Sequence, residues 1–359
     1  MGAILKVKTE NIRKNAESIL EVCRSNGIEI AGVIKGCNAY PPVIKTLYNA
    51  GCRWIADSRV ERLAKIKKKF PSIPLLLLRL PSPSQAEQVV STADYSLNSE
   101  LKTLKILNRA ARNKDLVHKI ILMVELGDLR EGIYPADRTV LIADEVEKMK
   151  NIHLAGIGTN LSCYGGIVPD EKNMDRLLGL ALKIEKSIGR KLEIISGGAT
   201  TTLPLLLSGK LPDKINHLRL GEAILLNRDL PHIWNVNIEG TTNQTFILET
   251  ELIEVKEKPS KPVGKKFVDA FGERPEFKDR GEHKRGIAAI GRADIVLPGQ
   301  LIPREEGMKV LGASSDHLIL DIEDCVRDLQ TGDRVQFEMF YGPLLHLCES
   351  SWVKKKVID

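Results

Sequence analysis

The chain reads as an α/β protein: a parallel (β/α)8 barrel followed by a smaller, mostly antiparallel β domain. Three observations lead there. Short apolar runs alternate with amphipathic segments through the first two-thirds of the 359 residues. Eight such runs can be counted, the number a closed parallel barrel needs. Beyond about residue 235 the alternation stops and strand-like runs follow one another, punctuated by Gly, Pro, Asp and Asn. The expected domains are therefore a barrel over 10–235 and a β domain over 236–359, joined by an added strand from residues 1–9.

The eight runs are 28–35, 54–58, 74–80, 94–99, 119–127, 154–161, 192–198 and 217–224. The fifth, beginning Lys119-Ile-Ile-Leu-Met-Val, is almost continuously apolar, as a strand covered on both faces must be. Between the runs, 11–26, 60–70, 99–113, 138–150 and 172–188 carry apolar residues at helical spacing; Ile12, Ile19, Leu20 and Cys23 mark the first. In the last third, 246–255, 286–295, 317–322 and 334–340 read as strands without helices between them. The charged, aromatic-dotted stretch 256–284 reads as one long loop.

Hydrophobic residues make up 43% of the chain, enough for a sizeable core, and no apolar run nears the roughly 20 residues needed to span a bilayer. The N-terminus shows no signal sequence, so a cytoplasmic location is expected. The six cysteines show no C-x-x-C pair and the seven histidines no H-x-x-x-H, which disfavours a metal centre. Net charge is +6 and dispersed; the lysine cluster at 65–69 reads as a solvated helix end rather than a nucleic-acid surface.

Lys35 ends the first run. An ammonium is costly to bury, so a lysine at the tip of a barrel strand points into the mouth, where such folds keep their chemistry. A partly desolvated amine there can condense with an aldehyde. An ordinary surface lysine at a strand end is the competing reading. The seventh run ends Ser196-Gly-Gly-Ala-Thr-Thr-Thr202 and the eighth Leu218-Arg-Leu-Gly-Glu222. Glycines that admit an anion to the backbone, followed by hydroxyls and a helix start, suit a phosphate. Ordinary capping and turn chemistry would explain each loop in isolation. Together with Lys35 they suit pyridoxal 5'-phosphate, with Arg219 placed to face the ring nitrogen.

These residues resemble the alanine/ornithine racemase family of pyridoxal-phosphate enzymes, and its ornithine-racemase branch more than alanine racemase proper. The resemblance rests on segments 123–133, 156–166 and 218–225 in the barrel, and on 269–272 and 311–321 in the β domain. It implies that Lys35 carries the cofactor and serves as one of two acid–base groups. Arg219 would face the ring nitrogen, supported by Asn160, where alanine racemases have a histidine. Thr200, Thr201, Gly221 and Glu222 would hold the phosphate. Arg130 would contact the cofactor and the substrate carboxylate, for which a planar guanidinium is suited; a salt bridge to Glu131 or Asp128 is the alternative.

Two departures from the family pattern stand out. The stretch after Lys35, Gly-Cys-Asn-Ala-Tyr40, is one residue longer than the usual one, which leaves the phosphate contact of Tyr40 open. The partner-subunit tyrosine that serves alanine racemases as second acid–base group has no counterpart in 261–269. Asp269, His283, Ser315 and Asp316 are the candidates for that role. The acidic loop 269–283 suits a distal ammonium, so ornithine or another basic amino acid is the expected substrate, with Asp269 at its far amine; a solvated loop whose acids balance Lys265, Lys266, Arg274 and Lys278 is the competing reading. The family also implies a homodimer whose subunits share their sites. A decarboxylase of the same fold type and a non-catalytic cofactor-binding protein are the alternatives. The chain has no Cys-x-x-x-Asp element in a context matching the former, and the latter carries no β domain.

Overall fold

The computed structural model describes residues 2–359. The chain divides into two compact units, Glu10–Thr242 and residues 2–9 with Asn243–Asp359. Within the first unit, the Asn15 side chain bonds both the N–H and the C=O of Thr242, tying the end of the unit to its first helix.

The first unit is a closed parallel barrel. Its strands are β2 (Glu29–Val33), β3 (Trp54–Asp57), β4 (Leu75–Leu77), β5 (Tyr95–Asn98), β6 (His118–Met123), β7 (Ile152–Gly158), β8 (Ile194–Ser196) and β9 (His217–Leu220), and β9 pairs back onto β2. Helices α1 (Thr9–Ser25), α3 (Val60–Lys69), α5 (Leu101–Asn113), α6 (Arg138–Glu147) and α7 (Glu171–Ile188) fall where the periodicity predicts. Two more, α2 (Pro41–Asn49) and α4 (Ala86–Thr92), lie in stretches too short to show a clear period. Pro41 and Pro42 open α2, where a missing N–H costs nothing. Asp170 and Asn173 form a reciprocal cap at the start of α7. The barrel axis is filled, not hollow. Ala31, Val33, Trp54, Leu76, Leu97, Ile121 and Met123 form a buried cluster, and Trp54 stacks on Tyr95 with ring centroids 4.3 Å apart.

The second unit is an eight-stranded sheet in the order β12–β15–β10–β11–β14–β13, with β1 (Ile4–Val7) paired to β10 and to β16. The strands are β10 (Phe246–Pro259), β11 (Glu282–Ala288), β12 (Leu301–Pro303), β13 (Lys309–Ala313), β14 (Leu318–Asp321), β15 (Arg334–Met339) and β16 (Lys354–Val357). All pairings are antiparallel except β1 with β16. The expected strand at 286–295 ends at Ala288; Arg292–Ile295 is instead a helical turn. The long loop is shorter than the charge pattern suggests, because β10 and β11 extend into it, leaving 260–281 outside the sheet. A C-terminal helix, Tyr341–Glu349, was not legible among the strand-like runs.

Candidate active site at the barrel mouth

The C-terminal ends of the barrel strands bring together side chains that are far apart in sequence. Lys35 follows β2 after one residue, Ile34, in a 3-10 turn over Lys35–Cys37. The next two residues, Asn38 and Ala39, both have positive φ (48° and 51°). That conformation is unfavourable for a residue with a Cβ, and it accommodates the extra residue before Tyr40. Tyr40 is half-buried immediately before α2. The Lys35 ammonium makes no hydrogen bond or ion pair among the described residues. Burial pulls its pKa down. Cys163 and, more weakly, Asp57 and Glu131 pull it up, while Arg130 adds to the lowering.

Asp57 ends β3, the strand beside Lys35, and is fully buried. Its Oδ1 accepts from the Arg59 N–H at 2.8 Å and from Arg62 at 3.5 Å, and its Oδ2 has no partner. Burial pushes its carboxyl above the usual carboxylate range.

Arg219, on β9, is 4% exposed. Its guanidinium donates to the Thr159 carbonyl at 2.7 Å, to the Ser196 hydroxyl, and weakly to Asn160 Oδ1 at 3.5 Å. Ser196 in turn lies 2.8 Å from His217 Nδ1. Burial, then the adjacent Arg219, draws His217 down to about 3, so this imidazole is neutral at physiological pH. Burial lowers Arg219 to about 10, which still leaves it charged. No carboxylate bonds it among the described residues. A buried cation held only by neutral acceptors is costly, and it is suited to an electron-rich ligand atom.

The loops after β8 and β9 form the adjoining rim. Gly198 has φ +121°, and a Cβ there would lie 2.8 Å from Thr202 Oγ1. A Cβ at Gly221 would press on Val33 at 3.1 Å. Thr200 accepts from the Ala223 N–H at 3.2 Å, tying the two loops together, and Thr201 contacts the Leu161 carbonyl at 3.4 Å. Glu222 is buried, with Oε1 accepting from the Arg228 and Asp229 N–H groups and Oε2 without a partner. Burial, with the Asp229 charge, pushes its carboxyl up to about 7.

Arg130 is exposed, and its guanidinium makes a two-point pair with the Glu131 carboxylate, the alternative the sequence left open. Gly132 next to it has φ +142°, and a Cβ would lie 2.4 Å from the Glu125 N–H, so only glycine fits this turn. The loop after β7 crosses the same mouth. Asp128, fully buried, accepts from the N–H groups of Cys163 and Tyr164 at 3.2 and 3.0 Å and fixes that loop. Asn160, three residues earlier, has a buried Nδ2 without a partner.

The remaining expected site residues belong to the second unit. Asp269 uses Oδ1 to accept from the Phe271 and Glu273 N–H groups at 2.8 and 2.9 Å, the pattern of a side chain that fixes its own turn. Ser315 and Asp316 lie exposed in the turn between β13 and β14. His283 faces Asp321, which also receives Arg280. Thr159 and Asp57 were not assigned a role from the sequence, although each lies at or near the C-terminal end of an apolar run, which is the signal that could have found them.

The profile of the alanine racemase N-terminal domain matches residues 7–228. Over 354 residues the chain is 39% identical to an ornithine racemase of Acetoanaerobium sticklandii, covering 99% of each. It is 40% identical to a lysine racemase of Thermotoga maritima over 351 residues, covering 98% of this chain and 97% of that one. Among solved structures, the alanine racemase of Streptomyces coelicolor A3(2) superposes with TM-score 0.77 at 16% identity, covering 100% of this chain and 98% of the other. An alanine racemase of Bartonella henselae with covalently bound pyridoxal phosphate gives 0.70 at 16% identity, covering both chains fully. The chain belongs to the alanine racemase family of pyridoxal-phosphate enzymes and is an amino-acid racemase.

The residues present fit that cofactor. An unpartnered, half-buried amine, two glycine cradles that a Cβ would fill, an orphaned amide at Asn160 and a buried guanidinium without a counter-ion all border one barrel mouth.

Proposed function

We propose that the chain interconverts the L and D forms of ornithine or another basic amino acid. The 39–40% identity to an ornithine and a lysine racemase over almost the whole chain supports this choice of substrate. Lys35 would carry the cofactor, with Thr200, Thr201 and the backbone at Gly221 and Glu222 around its phosphate, Tyr40 at the rim and Arg219 at its ring nitrogen. When bound, pyridoxal phosphate supplies an aldehyde that an amine can take up and a ring that withdraws electron density from Cα.

The buried Arg219 carries the reading. Held by Ser196, Thr159 and Asn160, with no carboxylate bonded to it among the described residues, it stays charged and would offer N–H donors to a ring nitrogen beside it. Arg219, as a donor only, would hold that nitrogen unprotonated, which would moderate the pull on Cα and favour return of a proton there. Lys35, its pKa lowered by burial, is suited to taking and returning that proton on its own side of Cα. Arg130, oriented by Glu131, would receive the substrate carboxylate, and a carboxylate of the 269–282 segment, Asp269 in the first place, the far ammonium. Ser315 and a homodimer with shared sites belong to the same proposal.

Incubating the protein and pyridoxal phosphate with each L-amino acid in deuterium oxide tests it. Chiral chromatography should find D-ornithine or D-lysine forming with deuterium at Cα. Alanine racemising as fast as ornithine would sink the substrate assignment, and release of carbon dioxide would sink the reaction.

A further inference from the structure

Arg219 is the outer end of a chain of hydrogen bonds that runs into the barrel. His217 lies two residues before it on the same face of β9, and Ser196, paired with His217 across β8 and β9, bonds to both side chains. All three residues are buried. The direction of each bond follows from what each group can donate. A guanidinium has N–H donors and no acceptor, so Ser196 Oγ accepts from Arg219 Nη1. The hydroxyl proton then needs an acceptor. His217 Nδ1, 2.8 Å away, is the other partner of that oxygen among the described residues. Nδ1 therefore accepts, and the neutral imidazole carries its proton on Nε2.

That Nε2 is buried and bonds to nothing among the described residues. Its ring packs against Trp54, with centroids 5.2 Å apart and 49° between the planes, and an aromatic ring is a weak acceptor for an N–H. The opposite tautomer would leave both the Ser196 hydroxyl proton and the Nε2 lone pair buried and unsatisfied, the costlier arrangement. A doubly protonated ring would set a second cation against Arg219, and burial keeps it neutral.

The consequence falls on Arg219. An oxygen whose own proton is engaged by an imidazole is a stronger acceptor, and it cannot turn away. With Ser196 on Nη1 and the Thr159 carbonyl 2.7 Å from Nη2, both ends of the fork are pinned and the guanidinium plane is set. The Asn160 contact at 3.5 Å is too long to do this. The Nε–H stays uncommitted among the described residues and is left for a ligand.

We propose that His217 is a positioning residue for racemisation: in its Nε2–H form it accepts the Ser196 hydroxyl proton in a hydrogen bond and, through Ser196, sets the plane in which Arg219 meets the cofactor ring. This rests on the racemase reading above, in which Arg219 faces the ring nitrogen. His217 acts through Arg219 and not on the substrate.

Two measurements test it. Proton–nitrogen correlation NMR of the cofactor-free protein, with isotope-labelled histidine, reads the tautomer; the signals missing from the His217 variants identify the residue. Nδ1 should be unprotonated and Nε2 protonated, and a proton on Nδ1 would overturn the inference. The second is steady-state racemisation of L-ornithine by H217F, H217N, S196A and S196A/H217F, each loaded with pyridoxal phosphate. Phenylalanine keeps a ring against Trp54 but offers no acceptor, whereas asparagine gives up the ring and places an oxygen near the position of Nδ1. H217F should lower kcat at least about tenfold with KM within about threefold of wild type. H217N should recover kcat to within about threefold of wild type, yet melt at a lower temperature than H217F because of the cavity it leaves. A merely structural role would make activity follow melting temperature instead, and that order would overturn the inference. S196A/H217F should lose no more than about threefold beyond the worse single variant, since both substitutions break one link; losses that multiply would contradict it. Should H217F fail to fold, S196A decides with the NMR: a kcat within about threefold of wild type would overturn the relay. The tautomer is read without cofactor, so a proton on Nδ1 in a protein that racemises ornithine removes this inference alone. A wild type that racemises no amino acid removes the racemase reading and the inference with it.

Discussion

The barrel mouth and the segment 260–281 of the β unit carry charge in opposite ways. In the mouth, Arg219, Asp57 and Glu222 are buried, and each has its pKa displaced by that burial. In 260–281, Asp269 and Asp279 bond to N–H groups two residues ahead, Arg274 and Lys266 lie over the neighbouring Phe267 and Phe277 rings, and nearly all residues are exposed. The difference separates charges that the fold has had to desolvate from charges that water already satisfies. Desolvated groups persist only where the structure compensates them, which makes them the stronger markers of chemistry. Local turn chemistry accounts for most of the acidic loop without any ligand.

Substitutions in the two regions should differ accordingly. Lys35→Ala should reduce racemisation at least about 1,000-fold, the scale of losing an amine that is both attachment point and acid–base group; a rate within tenfold of wild type would remove the mouth from the chemistry. Arg219→Lys should lower kcat at least about tenfold with a smaller change in KM, because a compact ammonium cannot hold Ser196 and the Thr159 carbonyl in one plane. An unchanged kcat would contradict the role given to that fork.

Glu222→Gln tests the burial account through stability. The folded carboxyl at about 7 lies above its unfolded value near 4.5, so the native state holds a proton the unfolded chain has lost. The stabilisation is full below 4.5 and is lost as pH rises through 7. The glutamine variant should therefore match wild type near pH 4.5 and exceed it at pH 8, by roughly 2–4 kcal/mol as an upper bound, in urea melts. Equal pH slopes for the two proteins would contradict the burial account. Smallest of all in stability, Asp269→Asn should keep its turn and change unfolding free energy by under about 0.5 kcal/mol, while raising KM for ornithine several-fold; an unchanged KM would remove Asp269 from the far ammonium.

The barrel was legible because its eight buried strands need continuous apolar runs, which nothing else in the first 235 residues resembles. Lys35, Arg219 and Thr200 stand at the ends of such runs, so the same pattern located them. Strands β13 and β16 were not legible: their residues are half-exposed, as in Lys354–Val357 with its three lysines, and half-exposed short strands leave little pattern. What the sequence could not convey is which strand ends stand beside one another at the mouth, because that depends on strand order around a closed barrel and not on spacing along the chain.

The most direct test is to load the protein with pyridoxal phosphate, reduce it with borohydride, digest it and map the modified peptide. A phosphopyridoxyl group on Lys35, absent from Lys35→Ala, is the predicted result. A label on another lysine, or none, would contradict the account at its centre.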